Sequence, residues 1–409
     1  MDIKDLATQN FDEVELPQMY KIKQALYSKK LIDIPGEVKK LLAEEELENK
    51  VLPGSKIGVA VGSRGIDSLM IIIKEIIDYL IDLGARPFII PAMGTHGGAT
   101  ARGQKEVLAD YNISEESLGV PVVSSMETEL IGKTDSNVPI YFSKIGLEAD
   151  GIIVVNRIKV HTDFSGDIES GLSKMLVIGL GKQKGASSVH SMGVDKFPEL
   201  IPEAAKLIIA KAPVLLGVGL LENAYSEISE IKTAQAAEIL KLDKKMLIKQ
   251  KEIMPGLPFK ELDVLIIDEM GKNISGAGMD TNVIGKFDNK INIKYIAVLS
   301  LTPESHGNAT GIGLADFTTL NCFNSIDFSD TYINCLTSKM VNYAKIPLVL
   351  KNQETAIKVA IKFVNKDNRT IKVARIKNTS SLSEFYISGG LLDEAESNED
   401  IKLLENNKS

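Results

Sequence analysis

The stretch KIGVAVGSRGIDSLMIIIKEIIDYLIDLGARPFIIPAMG, residues 56–94, indicates the fold of this chain. Its first seven residues are mostly apolar and β-branched, which is typical of a buried strand. Residues 66–84 carry apolar side chains at helical spacing and end at Gly84, and residues 87–94 return to the strand pattern. A strand, a helix and a second strand in this order predict two parallel strands joined by a crossover helix.

The same alternation continues along the rest of the chain. Strand patterns follow at 119–125, 139–145, 151–156, 213–221, 261–271, 290–301 and 369–376, and helical patterns at 102–111, 199–212, about 234–253, 331–341 and 354–365. The Pro/Gly cluster MPGLP at 254–258 interrupts this alternation and indicates a domain boundary. We therefore predict a two-domain α/β protein: residues 1–255 with a mainly parallel sheet, a smaller α/β domain of residues 256–409, and the active site in the cleft between them.

Composition limits the classes of partner. The chain has 47 basic and 55 acidic residues, a net charge of −8, and this acidic balance argues against nucleic acid as the main partner. The apolar run 69–83 is interrupted by four charged residues and the first residues are acidic, so we expect neither a membrane span nor a secretory signal. Cys322 and Cys335 lack metal-ligand spacing, and we expect a reduced, cytoplasmic protein.

Four of the predicted strands are followed by unusual loops. These loops contain residues 63–65 (Ser-Arg-Gly), 94–98 (Gly-Thr-His-Gly-Gly), 157–161 (Arg-Ile-Lys-Val-His) and 271–273 (Gly-Lys-Asn). Ligands of open parallel sheets bind beyond the carboxyl ends of the strands. The loops therefore predict a binding site.

The chain has only four histidines, His96, His161, His190 and His306, and all lie in Gly-rich or polar sequence rather than in apolar periodic runs. His96 fits either a catalytic loop or a tight turn. For His161, nearby cations favour the neutral ring that a general base needs, whereas Asp163 either orients the ring or raises its pKa again. We assign no role to His306.

The segment SGLSKMLVIGLGKQKGASSVH, residues 170–190, contains Lys174 and His190. Between them, Lys182 and Lys184 lie in a Gly-rich run whose composition resembles a phosphate-binding loop, although a flexible surface loop has the same composition. A zinc hydrolase is a weaker interpretation, because the sequence contains neither HExxH nor histidine pairs at ligand spacing.

Three of these segments, GTHGGAT (94–100), VHTDFSG (160–166) and SGLSK (170–174), occur together with the later His190. In this order and spacing they resemble the nickel-dependent lactate racemase superfamily of 2-hydroxyacid racemases and epimerases, and the similarity covers about residues 50–390. The chain departs from the family in having Ser63-Arg64 where the racemases have an Asp with the Arg. It also has about three extra residues between His161 and Lys174.

The resemblance implies a cofactor, the nickel-pincer nucleotide, and a role for each site residue. His96 and His161 correspond to the acid–base pair, Lys174 to the lysine that tethers the cofactor as a thioamide, and His190 to the nickel ligand. Arg64 corresponds to a residue that binds substrate or the cofactor phosphate. Lys182 and Lys184 remain alternative tethers or cofactor contacts.

The implied reaction removes the α-hydrogen of a 2-hydroxy acid as hydride while a histidine takes the hydroxyl proton, and hydride return to the other face inverts the centre. The substrate carboxylate needs a cation, for which Arg64, Lys272 and Lys286 are candidates. We thus predict an isomerase acting on a small hydroxy acid, with cofactor-biosynthesis enzymes as further partners. A hydroxyacid oxidoreductase on the same scaffold and a non-enzymatic nickel or nucleotide carrier are the alternatives.

Overall fold

The computed structural model describes residue 11, residues 13–286 and residues 290–404. The chain forms two compact units. The larger unit is Tyr27–Met254, and the smaller unit combines the residues before Tyr27 with the chain from Pro255 onwards. None of the helices in the described ranges has the length and apolar content that a membrane crossing requires.

The strands are β1 (Met19–Gln24), β2 (Lys56–Val61), β3 (Arg86–Pro91), β4 (Thr128–Lys133), β5 (Pro139–Ser143), β6 (Gly151–Arg157), β7 (Val214–Glu222), β8 (Ile228–Gln235), β9 (Glu261–Ile267), β10 (Asn292–Val298), β11 (Phe317–Thr319), β12 (Leu348–Leu350), β13 (Val373–Ile376), β14 (Glu384–Ser388) and β15 (Ile401–Leu403). The helices are α1 (Ile34–Glu44), α2 (Leu69–Asp82), α3 (Ala101–Ala109), α4 (Glu115–Leu118), α5 (Lys144–Leu147), α6 (Leu172–Lys174), α7 (Lys182–His190), α8 (Phe197–Lys211), α9 (Ile239–Ile253), α10 (Leu320–Asn324), α11 (Phe328–Ser338), α12 (Gln353–Val364) and α13 (Leu392–Glu396).

The larger unit is built on a five-stranded sheet in the order β3-β2-β6-β7-β8. The pairs β3–β2, β2–β6 and β6–β7 are parallel, and only β8 is antiparallel. Strands β2 and β6 are apolar along almost their whole length because helices cover both faces of the sheet, with α2 on one core cluster and α8 on the other. The prediction of an α/β fold with a mainly parallel sheet is confirmed.

Two parts of the larger unit differ from the predicted strands. Residues 119–125 form no strand and contribute one bridge, between Val122 and Ile89. Strand β8 was not predicted, because residues 228–235 mix charged and apolar side chains as an edge strand with one solvent-exposed side does.

The Gly-rich segment after Lys174 is helical and is not the loop that its composition suggested. Helix α6 continues into a π-helical turn, Met175–Gly179, and α7 then runs from Lys182 to His190. Glycine at 179 serves close packing, because a Cβ there would lie 2.7 Å from the carbonyl oxygen of Ala92. The backbone N–H of Gly94 also donates to the carbonyl of Gly179 across 3.2 Å. The π turn is therefore packed against the loop that follows β3.

The smaller unit contains an eight-stranded sheet in the order β12-β11-β10-β9-β13-β14-β1-β15. Strands β9 to β13 pair in parallel, whereas β1 pairs antiparallel with both β14 and β15. The sequence predicts one domain of residues 1–255, but β1 belongs to this second sheet. The reason is its register with β14 and the complete burial of Ile22 in the core of the smaller unit.

Candidate active site

His96 lies in a tight loop beyond the carboxyl end of β3. The loop is compact at Gly97, where φ is +65° and a Cβ would lie 2.5 Å from the backbone of Gly103. Ring atom Nδ1 of His96 is within hydrogen-bond distance of the Ser63 hydroxyl, in the loop after β2. The tyrosine hydroxyl of Tyr111 donates to the Ser63 carbonyl across 3.3 Å. The loops after the neighbouring strands β2 and β3 thus meet at the His96 ring.

His161 lies beyond β6 in a loop that a buried carboxylate organises. Glu169, 1% exposed, accepts from the backbone N–H groups of His161 at 2.7 Å and Gly166 at 3.1 Å, and pairs with the ammonium group of Lys251 at 2.6 Å. Ring atom Nδ1 of His161 accepts from the backbone N–H of Asp163 at 3.0 Å, and the carboxylate of Asp163 is 3.8 Å from the same nitrogen. The ring orientation of His161 is therefore fixed by its own loop.

Lys174 is the last residue of the short helix α6, and a carboxylate from another helix binds the first turn of α6. The buried carboxylate of Asp243, on α9, accepts from the backbone N–H groups of Leu172 at 2.9 Å and Ser173 at 2.7 Å. These are the first N–H groups of α6, which have no partner within the helix itself. Asp243 therefore caps α6 from a distant helix and fixes the position of Lys174.

Two phenylalanines connect His161, Lys174 and His190. The Phe164 ring lies 4.4 Å from the His161 ring, centroid to centroid, and 5.6 Å from the Lys174 ammonium nitrogen. The Phe197 ring lies 5.4 Å from Phe164 and 4.9 Å from His190, edge to face in both cases. His190 itself is exposed at the end of α7.

The charges of Arg64 and Lys174 act on His96, and those of Lys174 and His190 act on His161. The pKa of His96 is lowered by desolvation and by the charges of Arg64 and Lys174. The pKa of His161 is well below its usual value, first because the ring is buried and then because of Lys174, Lys159 and His190. Both rings are therefore neutral at pH 7, the state that can accept a proton.

Lys174 has an amine that is easier to deprotonate than usual. Burial lowers its pKa to about 8; the charges of Asp163 and Glu169 oppose this effect, and that of Arg64 adds to it. At neutral to slightly alkaline pH a substantial fraction of this amine is unprotonated and nucleophilic. The exposed Arg64 guanidinium in the loop after β2 adds a second cation to the cluster.

Lys182 and Lys184 occupy different places from Lys174. Lys182 has no exposed surface, and its ammonium donates to the carbonyl of Pro91 and to the Gln104 side chain. Lys184 is exposed, with its ammonium nitrogen 4.3 Å from the centre of the Tyr141 ring. Their predicted cofactor contacts stay predictions, and the structure brings Lys174 rather than these two lysines next to the histidines.

Lys272, Lys286 and His306 belong to the smaller unit. The Lys272 ammonium donates to the carbonyl of Gly276, and Lys286 lines a cavity of about 370 Å³ together with Lys339. His306 ends a short 3-10 turn with a φ of +47°. The predicted cleft and the substrate contacts of the two lysines stay predictions.

The residues that support the site, above all Glu169, Asp243 and Gln104, were not predicted from the sequence. Glu169, a single acidic residue eight positions after His161, was only a weak sign of a residue that organises the His161 loop. Asp243 gave none, because it stands in a Lys-rich helix where an acidic residue is ordinarily a solvated surface group. Among the described residues, no group of three or more His, Cys, Asp and Glu side chains is arranged to hold a metal ion.

The N-terminal part of the chain matches a known protein family, and most of the chain is similar in structure to solved proteins. Residues 9–198 match the family described as the lactate racemase N-terminal domain. The lactate racemase apoprotein from Thermoanaerobacterium thermosaccharolyticum is similar in structure, with a TM-score of 0.59 and 14% identity over 88% of this chain and 94% of that chain. A protein from Thermotoga maritima is also similar in structure, with a TM-score of 0.50 and 14% identity over 82% of this chain and 84% of that chain. No curated protein sequence matches the chain.

Proposed function

We propose that this chain, whose residues 9–198 match the lactate racemase N-terminal domain, is a member of the lactate racemase superfamily and interconverts the stereoisomers of a 2-hydroxy acid. The observation that carries the proposal is the convergence of His96, His161, Lys174 and His190 in the larger unit. Two neutral histidines beside a low-pKa lysine form an acid–base site. The substrate we propose is small and anionic, the location cytoplasmic, and the enzymes that make the cofactor are proposed partners.

The side chains fit a nickel-pincer nucleotide. Lys174, with a pKa of about 8, provides an amine that can form the covalent link, and the exposed imidazole of His190 is a ligand type that nickel accepts. The Arg64 guanidinium suits a phosphate or a carboxylate, both of which it can bind through two hydrogen bonds. When bound, the nucleotide would supply a reversible hydride acceptor.

The protein's own groups would then handle the proton. The neutral ring of His96 accepts the hydroxyl proton of one stereoisomer as the α-hydrogen leaves with its electron pair, which would leave a planar 2-oxo acid. When the C–H bond forms again on the other face, the hydroxyl oxygen lies on the side of His161, which supplies a proton to it, and the opposite stereoisomer reacts by the reverse steps. One hydride and one proton leave the substrate and one of each is returned, so the reaction has no net redox change.

The two histidines are not equivalent in this role. In the neutral ring of His161, Nδ1 accepts the Asp163 N–H, so Nε2 carries the proton and presents a hydrogen-bond donor. For Nε2 to accept a proton, Nδ1–H must find another acceptor, and the Asp163 carboxylate at 3.8 Å is a candidate. Asp163 would thus set the tautomer of His161.

The proposal is tested with the chain co-expressed with the enzymes that make the cofactor. We expect about one nickel per chain and, from single stereoisomers of 2-hydroxy acids, formation of the opposite stereoisomer by chiral chromatography. His96→Ala and His161→Ala should abolish turnover and retain nickel, whereas His190→Ala should lose nickel. Lys174→Ala should remove any covalent adduct seen by intact-protein mass spectrometry.

Each other outcome points to one of the alternatives. Net accumulation of an oxidised product, with an external acceptor consumed, would indicate a hydroxyacid oxidoreductase. Nickel loading that depends on His190 without conversion of any hydroxy acid would indicate a carrier. Loss of nickel in both His96→Ala and His161→Ala would contradict the acid–base assignment.

A further inference from the structure

Lys182 is a buried cation whose contacts lead to the catalytic loop. Its side chain has no exposed surface, and its ammonium donates to the carbonyl of Pro91, the last residue of β3, and to Oε1 of Gln104 at 3.2 Å. Gln104, on α3, is also completely buried. The two side chains therefore form a polar pair beneath the surface of the larger unit.

The amide of Gln104 extends this pair to the backbone around His96. Its Nε2 donates to the carbonyl of Gly94 at 3.0 Å and to the carbonyl of His96 at 3.4 Å. The chain of contacts thus runs from α7 through Lys182 and Gln104 to the residue that carries the catalytic ring. Because Lys182 also holds Pro91, it contacts β3 at the point where the loop begins.

The arrangement is costly, which argues against an incidental packing contact. Burying an ammonium group is expensive unless it is paired, and the structure pairs Lys182 with no carboxylate among the described residues. Burial alone lowers the pKa of this amine to about 8. The backbone of Lys182 is also left-handed, with φ of +54°, which is unfavourable for a residue with a Cβ.

We propose that Lys182 and Gln104 are positioning residues that hold the His96 loop in the geometry required for proton transfer. The ammonium fixes the orientation of the Gln104 amide by donating to its oxygen, so that the amide nitrogen faces the two loop carbonyls. The role in catalysis rests on the function proposed above. The positioning of His96 does not, because the contacts belong to the chain itself.

The first experiment reads the His96 ring directly in the chain without cofactor. The four histidines are labelled with ¹⁵N, and their ring signals are assigned with single His→Gln variants. We expect Lys182→Met and Gln104→Leu to shift or broaden the His96 signals while those of His306, in the smaller unit, stay in place. Lys206→Met and Gln183→Leu are the matched controls, since both residues are exposed, and they should leave His96 unchanged.

A double variant separates positioning from stability. Lys182→Met leaves Oε1 of Gln104 without its donor, and replacing both partners by apolar side chains removes that unsatisfied atom. We expect the Lys182→Met/Gln104→Leu chain to melt close to Lys182→Met, because removal of the unsatisfied Oε1 offsets the lost donor to the Gly94 and His96 carbonyls, and still to show displaced His96 signals. Unchanged His96 signals in every variant, or equal shifts at His306, would overturn the proposal.

Turnover adds the catalytic part. In the cofactor-loaded protein we expect kcat to fall at least about tenfold in Lys182→Met, with nickel content and KM nearly unchanged, which is a loss of roughly 1.4 kcal/mol in transition-state stabilisation. A rise in KM at constant kcat would contradict positioning of the acid–base group. If the unsubstituted chain converts no hydroxy acid, the function fails while the His96 signals still decide the positioning role.

Discussion

The ring of His96 has three neighbours that set its protonation: Ser63, Arg64 and Lys174. Burial first and then the two cations lower its pKa, and the Ser63 hydroxyl contacts Nδ1 without adding charge. A hydroxyl can donate or accept, so it suits a ring that would do both in the proposed reversible reaction. The racemases that the chain resembles have an Asp in this loop, and the serine therefore predicts a histidine that stays neutral to lower pH.

Ser63→Asp tests this interpretation. A carboxylate beside Nδ1 stabilises the imidazolium, so we expect the pKa of His96 to rise. The neutral ring exists above the pKa and is lost as pH falls through it, so the acid limb of the turnover rate should move to higher pH. At a fixed pH below the pKa of His96, the turnover rate should fall roughly tenfold for each unit by which that pKa rises. A titration of the ¹⁵N-labelled ring in the cofactor-free chain measures the shift independently.

The control for this change is Ser63→Ala, which removes the hydroxyl and adds no charge. It should alter the hydrogen bond of the ring but not produce the large upward shift of Ser63→Asp. A pKa of His96 in Ser63→Asp equal to or below that of the unsubstituted chain would show that residue 63 does not control the ring.

At this scale the sequence pointed to the candidate acid–base side chains and gave little or no signal for the residues that hold them in place. His96 and His161 were predicted because each follows a parallel strand, where binding loops gather. Glu169, Gln104 and Asp243 were not, because burial and long-range partners decide their roles. A Gln or an Asp in a helix is ordinarily a surface residue until the fold covers it.

At the scale of elements, α9 caps α6, and the long separation of the two helices in the sequence gives no sign of this contact. The Asp243 carboxylate replaces the intrahelical partners that the first turn of α6 lacks, from 71 and 70 residues away. The composition of the Gly-rich run after α6 predicts a loop, yet Gly179 in this run allows close packing of the π turn against Ala92. Composition alone does not distinguish a flexible glycine from one that packs.

Asp243→Ala tests the capping of α6. Two buried N–H groups lose their acceptor, and we expect the free energy of unfolding in urea to fall by roughly 2–4 kcal/mol. Because Lys174 lies at the end of this short helix, we also expect less covalent adduct and less nickel per chain. Asp167→Ala is the surface control, since that carboxylate pairs only with the exposed Lys244 in the described contacts and should cost little. Equal costs for the two variants would contradict a capping role.

At the scale of the whole molecule, the N-terminal strand joins the sheet of the smaller unit, and the chain from Tyr27 builds the larger one before it returns. The Pro/Gly cluster near residue 255 predicts a boundary there, with residues 1–255 in one domain. Short-range patterns reveal strands, but the pairing of β1 with β14 joins residues more than 350 positions apart. Nothing in the hydrophobic pattern of residues 19–24 specifies which sheet they enter.

Ile22→Ala decides which unit depends on the N-terminal strand. Ile22 is fully buried among apolar side chains of the smaller unit, and its truncation leaves a cavity that should cost roughly 2–5 kcal/mol of stability. By hydrogen exchange with mass spectrometry, we expect faster exchange in β9, β13 and β14 and unchanged protection in β2 and β6. Leu403→Ala, at an exposed position of β15, should have little effect. Faster exchange in β2 and β6 with β9 unchanged would instead place the first 26 residues with the larger unit, as the sequence alone suggested.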